Sequence, residues 1–219
     1  MPSIRRVARA GPPTSHGDFG MFVYEAAERK EHVALTTGFE PETVGEDEAI
    51  LVRLHSECLS GDVFGSRRCD CGGEESMRLM REQGRGVLLY LRQEGRGLGL
   101  ANKISAYVLQ EEGLDTVQAN LALELPEDAR DYRVAAEILN DLGVHRTAVL
   151  ANYPAKIEGL RRHGTEVVER LPVQVEPDTF NLSYLRMKKE KMGHHFPASV
   201  LPGGVPDERP DGGPANGAS

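Results

Sequence analysis

Over the first fifty residues, apolar and polar positions alternate in short runs. Ile4 to Arg9, Met21 to Tyr24 and His32 to Thr37 carry β-branched or aromatic residues, with turn signals at Gly11-Pro12-Pro13 and Gly17-Asp18, and this predicts three strands. Ala49 to His55 predicts a fourth. The period then changes: Met77 and Met80 share one face of a helix predicted over 74–83. Val87 to Leu91 is a compact apolar run of the length of a buried strand. Leu100, Ile104, Tyr107 and Val108 recur near every third or fourth position, predicting a helix over 98–112 that Gly113 ends. Further helices are expected at 132–142, at 155–163 behind Pro154, and at 182–192; strands are expected at 147–151 and from Val167. Strands alternating with helices predict a mixed sheet with flanking helices, and the antiparallel character of the first fifty residues makes the class α+β. No internal repeat is visible.

The 219 residues allow one large domain or two small ones, and 39% hydrophobic content is enough for a core. No apolar run reaches the ~20 residues of a membrane span, and the N-terminus has no apolar signal region. Free thiols without an export signal point to the cytoplasm. A formal net charge of −8 argues against broad nucleic-acid binding, though not against a nucleotide held by a few arginines or a magnesium ion. Residues 197–219 are rich in Pro and Gly and nearly devoid of apolar residues after Val205, so they are expected to be disordered, leaving 1–196 as the folded unit.

Every cysteine lies in one stretch: Cys58, Cys69 and Cys71. The odd count and the tight Cys-x-Cys spacing disfavour disulfides. Structural zinc closes with four protein ligands, whereas working zinc keeps three and leaves the fourth position to water, so three thiols suggest a catalytic zinc site. Three reduced thiols that merely lie close together are the alternative. Arg53-Leu54-His55-Ser56-Glu57 runs directly into Cys58, and Arg67, Arg68 and Asp70 flank the other two, giving the charge-rich setting of a substrate site. A second stretch, Arg92 to Leu100, sets Gly95, Gly97 and Gly99 among charges between a strand and a helix. That context suits anion binding, and a solvated glycine turn is its plain alternative. Glu127 to Tyr132 reads on propensity as helix capping, and His194-His195 as solvated.

Taken together, these motifs resemble the GTP cyclohydrolase II family over roughly residues 4–196. The resemblance rests on Arg53-Leu-His-Ser-Glu-Cys58, Arg68-Cys69-Asp-Cys71-Gly72, Arg92-Gln-Glu-Gly-Arg96, Asn102-Lys103-Ile104, Ala106-Tyr107, Asp115-Thr116, Asp128 with Arg130-Asp131-Tyr132, and Lys191-Met-Gly-His194. It implies an α+β fold, a homodimer and one Zn2+ per subunit on Cys58, Cys69 and Cys71. It implies hydrolytic opening of the guanine imidazole ring of GTP, releasing formate and pyrophosphate, as the first step of riboflavin biosynthesis. Tyr107 matches the family's catalytic tyrosine, Asp128 its proton acceptor and Arg130 its proposed nucleophile. Arg53, Leu54, His55, Ser56, Glu57, Glu94, Gly95, Arg96, Thr116 and Lys156 match nucleotide contacts, and Mg2+ would accompany the triphosphate.

Two departures stand against that pattern. The family usually reads Cys-Gly-x-Gln-Leu after the last thiol, where this chain has Cys71-Gly72-Gly73-Glu74-Glu75; Glu74 or Glu75 is the expected replacement for the glutamine. It usually reads Thr-Asn-Asn-Pro later, where this chain has Ala151-Asn152-Tyr153-Pro154. Altered contacts leave room for a paralogue of specialised metabolism, acting on another guanine nucleotide or stopping at the formamide, or for a zinc-stabilised nucleotide-binding protein without turnover. The length leaves no space for the dihydroxybutanone phosphate domain fused to many relatives, so a stand-alone form is expected.

Overall fold

The computed structural model describes residues 3–69, 71–126, 128–173 and 181–196. The tail expected to be disordered lies outside these, as do Asp70, Glu127 and the side chain of Thr116. The strands are β1 (Arg5–Ala10), β2 (Pro13–Thr14), β3 (Gly17–Asp18), β4 (Gly20–Glu25), β5 (Glu31–Thr37), β6 (Ala49–Ser56), β7 (Gly86–Leu91), β8 (Arg146–Leu150) and β9 (Glu166–Leu171). The helices are α1 (Leu59–Asp62), α2 (Gly73–Gln83), α3 (Leu100–Glu111), α4 (Thr116–Ala122), α5 (Arg133–Asp141), α6 (Pro154–Arg162) and α7 (Leu182–Met192).

One seven-stranded sheet carries the fold, in the order β1-β4-β5-β7-β6-β8-β9. β1, β4, β5 and β7 pair antiparallel, whereas β7, β6, β8 and β9 run parallel. The α+β expectation and the mixed sheet are therefore observed, with the antiparallel half coming from the first part of the chain. Alternation along the central strands serves both faces. Ile50, Val52, Leu54, Val87, Leu89, Leu91 and Val149 pack with α5 and α6 residues such as Ile138, Leu139 and Leu160. Leu51, Leu88 and Leu150 face the other way and meet Met80 of α2. Burial on both faces explains why Val87 to Leu91 is continuously apolar. Among the described residues no helix is long and apolar enough to cross a membrane.

The short α1, β2 and β3 lie outside the expectation, and two longer elements also differ from it. α4 was not foreseen, although its start is a capping box: Asp115 accepts from the Val117 and Gln118 amides at 2.9 and 3.0 Å, and Gln118 Oε1 accepts from the Asp115 amide at 3.0 Å. α3 is helical as predicted, but its apolar stripe is not core. Leu100, Ile104 and Val108 are 38%, 45% and 52% exposed, and Ala106 is the buried residue. The reason is that α3 packs chiefly on α4 and on the 94–97 turn.

Candidate functional site

Three parallel neighbours, β7, β6 and β8, end side by side: Ser56 pairs with Leu91, and Arg53 with Leu150. Ligands of open sheets with parallel strands collect beyond those carboxyl ends. Here the segments that leave them line a cavity of about 500 Å³ through residues including Cys58, Glu94, Arg96 and Asn152. That volume lies within the ~300–1,000 Å³ of small-molecule sites.

Cys58, Cys69 and Cys71 converge there, their Sγ atoms all within 4.8 Å of one another and those of Cys58 and Cys69 3.4 Å apart. Tetrahedral zinc with Zn–S near ~2.3 Å would set sulfurs ~3.8 Å apart, so the cluster fits a divalent ion. Convergence depends on Gly61: a Cβ at that position would lie 2.6 Å from Cys71 Sγ, 2.9 Å from Cys69 Cβ and 3.2 Å from Cys58 Sγ. Hydrogen bonds from the Cys58 and Cys71 thiols, helped by Ser60 and Lys103, hold Cys69 far below the ordinary thiol range. Hydrogen bonds with Cys58 and Cys69, together with burial, push Cys71 up. A bound cation would remove that conflict by stabilising all three thiolates.

Around the sulfurs stands a layer of charge. Lys103 Nζ donates to Cys58 Sγ at 3.1 Å and to Glu94 Oε1 at 2.9 Å. Burial works against the Lys103 charge, but Glu94 and Cys58 raise its pKa all the same. The Glu94 carboxylate also accepts from the Leu59 amide at 2.6 Å and the Gly95 amide at 2.8 Å. The Tyr107 hydroxyl lies 3.9 Å from Cys69 Sγ, with the Arg68 guanidinium 5.2 Å from its ring centroid.

The end of β6 supplies the next group. His55 is buried, its Nε2 2.9 Å from Asp62 Oδ1, and its Nδ1 has no partner among the described residues. Asp62 also accepts from the Cys58 amide and the Tyr90 hydroxyl, both at 2.9 Å. Ser56 Oγ accepts from Gln93 at 2.9 Å, and Glu57 from Arg92 Nε at 2.9 Å. Arg53 donates to the Leu150 carbonyl at 3.0 Å. Leu54 differs from its neighbours: its side chain is core, and its carbonyl accepts from Lys156 Nζ at 2.6 Å.

The third group is Asp128 and Arg130. Arg130 Nε donates to Asp128 at 2.9 and 3.1 Å, its Nη2 donates to the same carboxylate, and its amide donates to Oδ1 at 3.0 Å. Burial opposes both charges. Even so, the Arg130 hydrogen bonds hold Asp128 below the usual carboxylate range, and Asp128 raises Arg130 further. The capping expectation therefore divides: Asp131 does accept from the Arg133 amide at 2.9 Å, whereas Asp128 serves Arg130. The loop is stitched to the glycine-rich turn, since the Ala129 amide donates to the Arg96 carbonyl at 3.0 Å. A Cβ on Gly97 (φ +84°) would lie 2.8 Å from the Ala129 oxygen. Arg96 itself has φ +60°, and its two buried Nη atoms have no partner among the described residues. A buried guanidinium in that state is suited to an anion.

Comparison with known proteins decides the affiliation: residues 5–172 match the family described as GTP cyclohydrolase II. The chain belongs to the GTP cyclohydrolase II family. It is 45% identical over 199 residues to the riboflavin biosynthesis protein RibBA of Chlorobium phaeovibrioides, covering 90% of this chain and 48% of that protein. It is 51% identical over 185 residues to RibBA of Bacillus cytotoxicus, covering 83% of this chain and 46% of that one. The chain spans about half the length of the curated relatives it matches. A solved structure of RibBX, a two-domain 3,4-dihydroxy-2-butanone 4-phosphate synthase from A. baumannii, aligns at 19% identity with a TM-score of 0.43, over 78% of this chain and 41% of that one. That likeness is too distant to bear on fold or function.

Against the GTP cyclohydrolase II pattern, two expectations need correction. Neither Glu74 nor Glu75 lines the cavity: Glu74 is exposed, and Glu75 pairs with Arg78 at 2.7 Å. An (i, i+3) partner on the same helix face is simply nearer. His194 is not solvated but buried, stacked on Tyr153 with ring centroids 4.5 Å apart. Lys103, Gly61 and Asp62 also belong to the site, and the sequence reading gave them no role.

Proposed function

We propose that this protein hydrolyses the guanine ring of GTP, releasing formate and pyrophosphate and yielding 2,5-diamino-6-(5-phosphoribosylamino)pyrimidin-4(3H)-one. Residues 1–196 form the catalytic unit. The relatives' names support a place in riboflavin biosynthesis. The observation that carries the reading is three cysteine sulfurs within 4.8 Å of one another, in a cavity also lined by Tyr107, Arg96 and Arg130. Cys58, Cys69 and Cys71 hold the zinc, which when bound supplies Lewis acidity toward water.

The chain's own groups do the rest. Lys103 offsets the thiolate charge through Cys58, and Glu94 holds Lys103. Tyr107, beside Cys69, donates a hydrogen bond to the opening ring. His55 donates a hydrogen bond from Nε2–H to Asp62, which leaves Nδ1 to accept from a ligand N–H. Arg53, Ser56, Glu57, Gly95, Arg96, Thr116 and Lys156 complete the nucleotide contacts, and Mg2+ would accompany the triphosphate and offset its charge. Arg130 stays cationic beside Asp128, so we assign it charge stabilisation at the α-phosphorus, where water and not the arginine attacks and pyrophosphate leaves. Asp128, held anionic, is the proton acceptor for that water. The active form is a cytoplasmic homodimer that covers the exposed α3 stripe of Leu100, Ile104 and Val108.

Incubating zinc-loaded protein with GTP and magnesium tests this reading. Formate and pyrophosphate should appear in equal amounts with the ring-opened product. Formamide product without formate would identify the paralogue, and no turnover would leave only a nucleotide-binding protein.

A further inference from the structure

Tyr153 stands where the family resemblance leads one to expect asparagine, and the fold puts it in contact with the Asp128–Arg130 pair. The Arg130 guanidinium lies 4.9 Å from the Tyr153 ring centroid. On the ring's other contact, His194 stacks at 4.5 Å with an interplanar angle of 12°, and Phe196 continues the stack at 6.1 Å from His194. Tyr153 also helps to keep the Asp128 carboxylate below the usual carboxylate range, after the larger effect of Arg130. Asp128 therefore fixes the guanidinium in its own plane while Tyr153 supports its face, and the tyrosine is itself wedged by His194. Tyr153, His194 and Arg130 all line the cavity.

We infer that Tyr153 is a positioning residue, an aromatic backstop that aims Arg130 at the phosphate chain of the nucleotide. A planar cation gripped at its edge by a carboxylate and on its face by an aromatic ring keeps few rotamers, so its remaining N–H groups point one way before substrate arrives. Asparagine could also interact with Asp128 but offers no ring. The wedge also explains why His194 is buried: it supports Tyr153 from α7's end of the chain. This inference rests on the reading of Arg130 as a phosphate-facing cation.

The test is inorganic pyrophosphate with magnesium, titrated calorimetrically into zinc-replete wild type, Tyr153→Phe, Tyr153→Asn, Arg130→Lys and the Arg130→Lys/Tyr153→Asn double variant. Guanosine serves as the control ligand. Tyr153→Phe keeps the ring and should bind pyrophosphate within about threefold of wild type, whereas Tyr153→Asn should weaken it by about tenfold. Guanosine affinity and zinc content should not change. In the Arg130→Lys background the second substitution should add little, because the tyrosine acts through the arginine. Equal pyrophosphate binding by wild type and Tyr153→Asn overturns the inference, and so does full additivity or a parallel loss of guanosine binding. If wild type binds guanosine but no pyrophosphate, the phosphate reading of Arg130 fails and this inference falls with it. Should Tyr153→Asn not fold, Tyr153→Leu makes the same comparison with Phe.

Discussion

His32 shows how one side chain records the fold in its titration. It is buried on β5, and its Nδ1 accepts from the Arg92 amide at 3.1 Å, so that nitrogen must be unprotonated. Burial, then Lys30 and Arg92, lower its pKa from 6.5 to about 4. Below pH 6.5 the unfolded chain binds a proton that the folded chain refuses until about pH 4, so stability is lost across that window and is fully present above it. His32→Gln should flatten this dependence, measured as the difference between urea unfolding free energies at pH 7 and pH 5. Gly61 is the second residue-scale case. Its missing side chain lets three thiols meet, so Gly61→Ala should abolish stoichiometric zinc binding while far-ultraviolet circular dichroism stays unchanged. Zinc binding at full stoichiometry in that variant would contradict the packing argument. Neither role was legible in the sequence: the cysteines announced themselves by sitting within one short stretch, but the reason for a glycine between them is a three-way approach that only the folded loop displays. Lys103 was hidden in the same way, because it reaches Cys58 from 45 residues away.

Among the elements, helices and strands were read well where the period was long and strong, as for α5, α6 and β7. The sidedness of α3 was not. Spacing identifies an apolar stripe, but it does not say whether the cover is the chain's own sheet or something else. With Leu100, Ile104 and Val108 exposed at (i, i+4) spacing, the proposed homodimer gives a direct expectation. Ile104→Glu with Val108→Glu should shift the species seen by light scattering from dimer to monomer without unfolding it. α4 was missed because it is short, and a seven-residue helix gives periodicity little room. Its stability leans on its cap, so Asp115→Ala should cost about 1 kcal/mol in unfolding free energy.

For the whole molecule, the α+β class was legible because the antiparallel half and the parallel half come from separate parts of the sequence. The cavity was less so. It is assembled from the ends of β6, β7 and β8, the 128–130 loop and His194, and contacts such as His194 on Tyr153 join distant segments. A histidine near the C-terminus looks solvated until the strand-to-helix turn that buries it is in place. The architecture places the thiol cluster and Arg130 in one cavity, and the claim that matters most is that the cluster holds a working zinc. The most direct measurement is zinc per chain alongside formate released from GTP, for wild type and Cys69→Ala, both purified under reducing conditions. The account predicts one zinc per chain with formate release in wild type and the loss of both in the variant. Formate release of equal rate from zinc-free Cys69→Ala would contradict it.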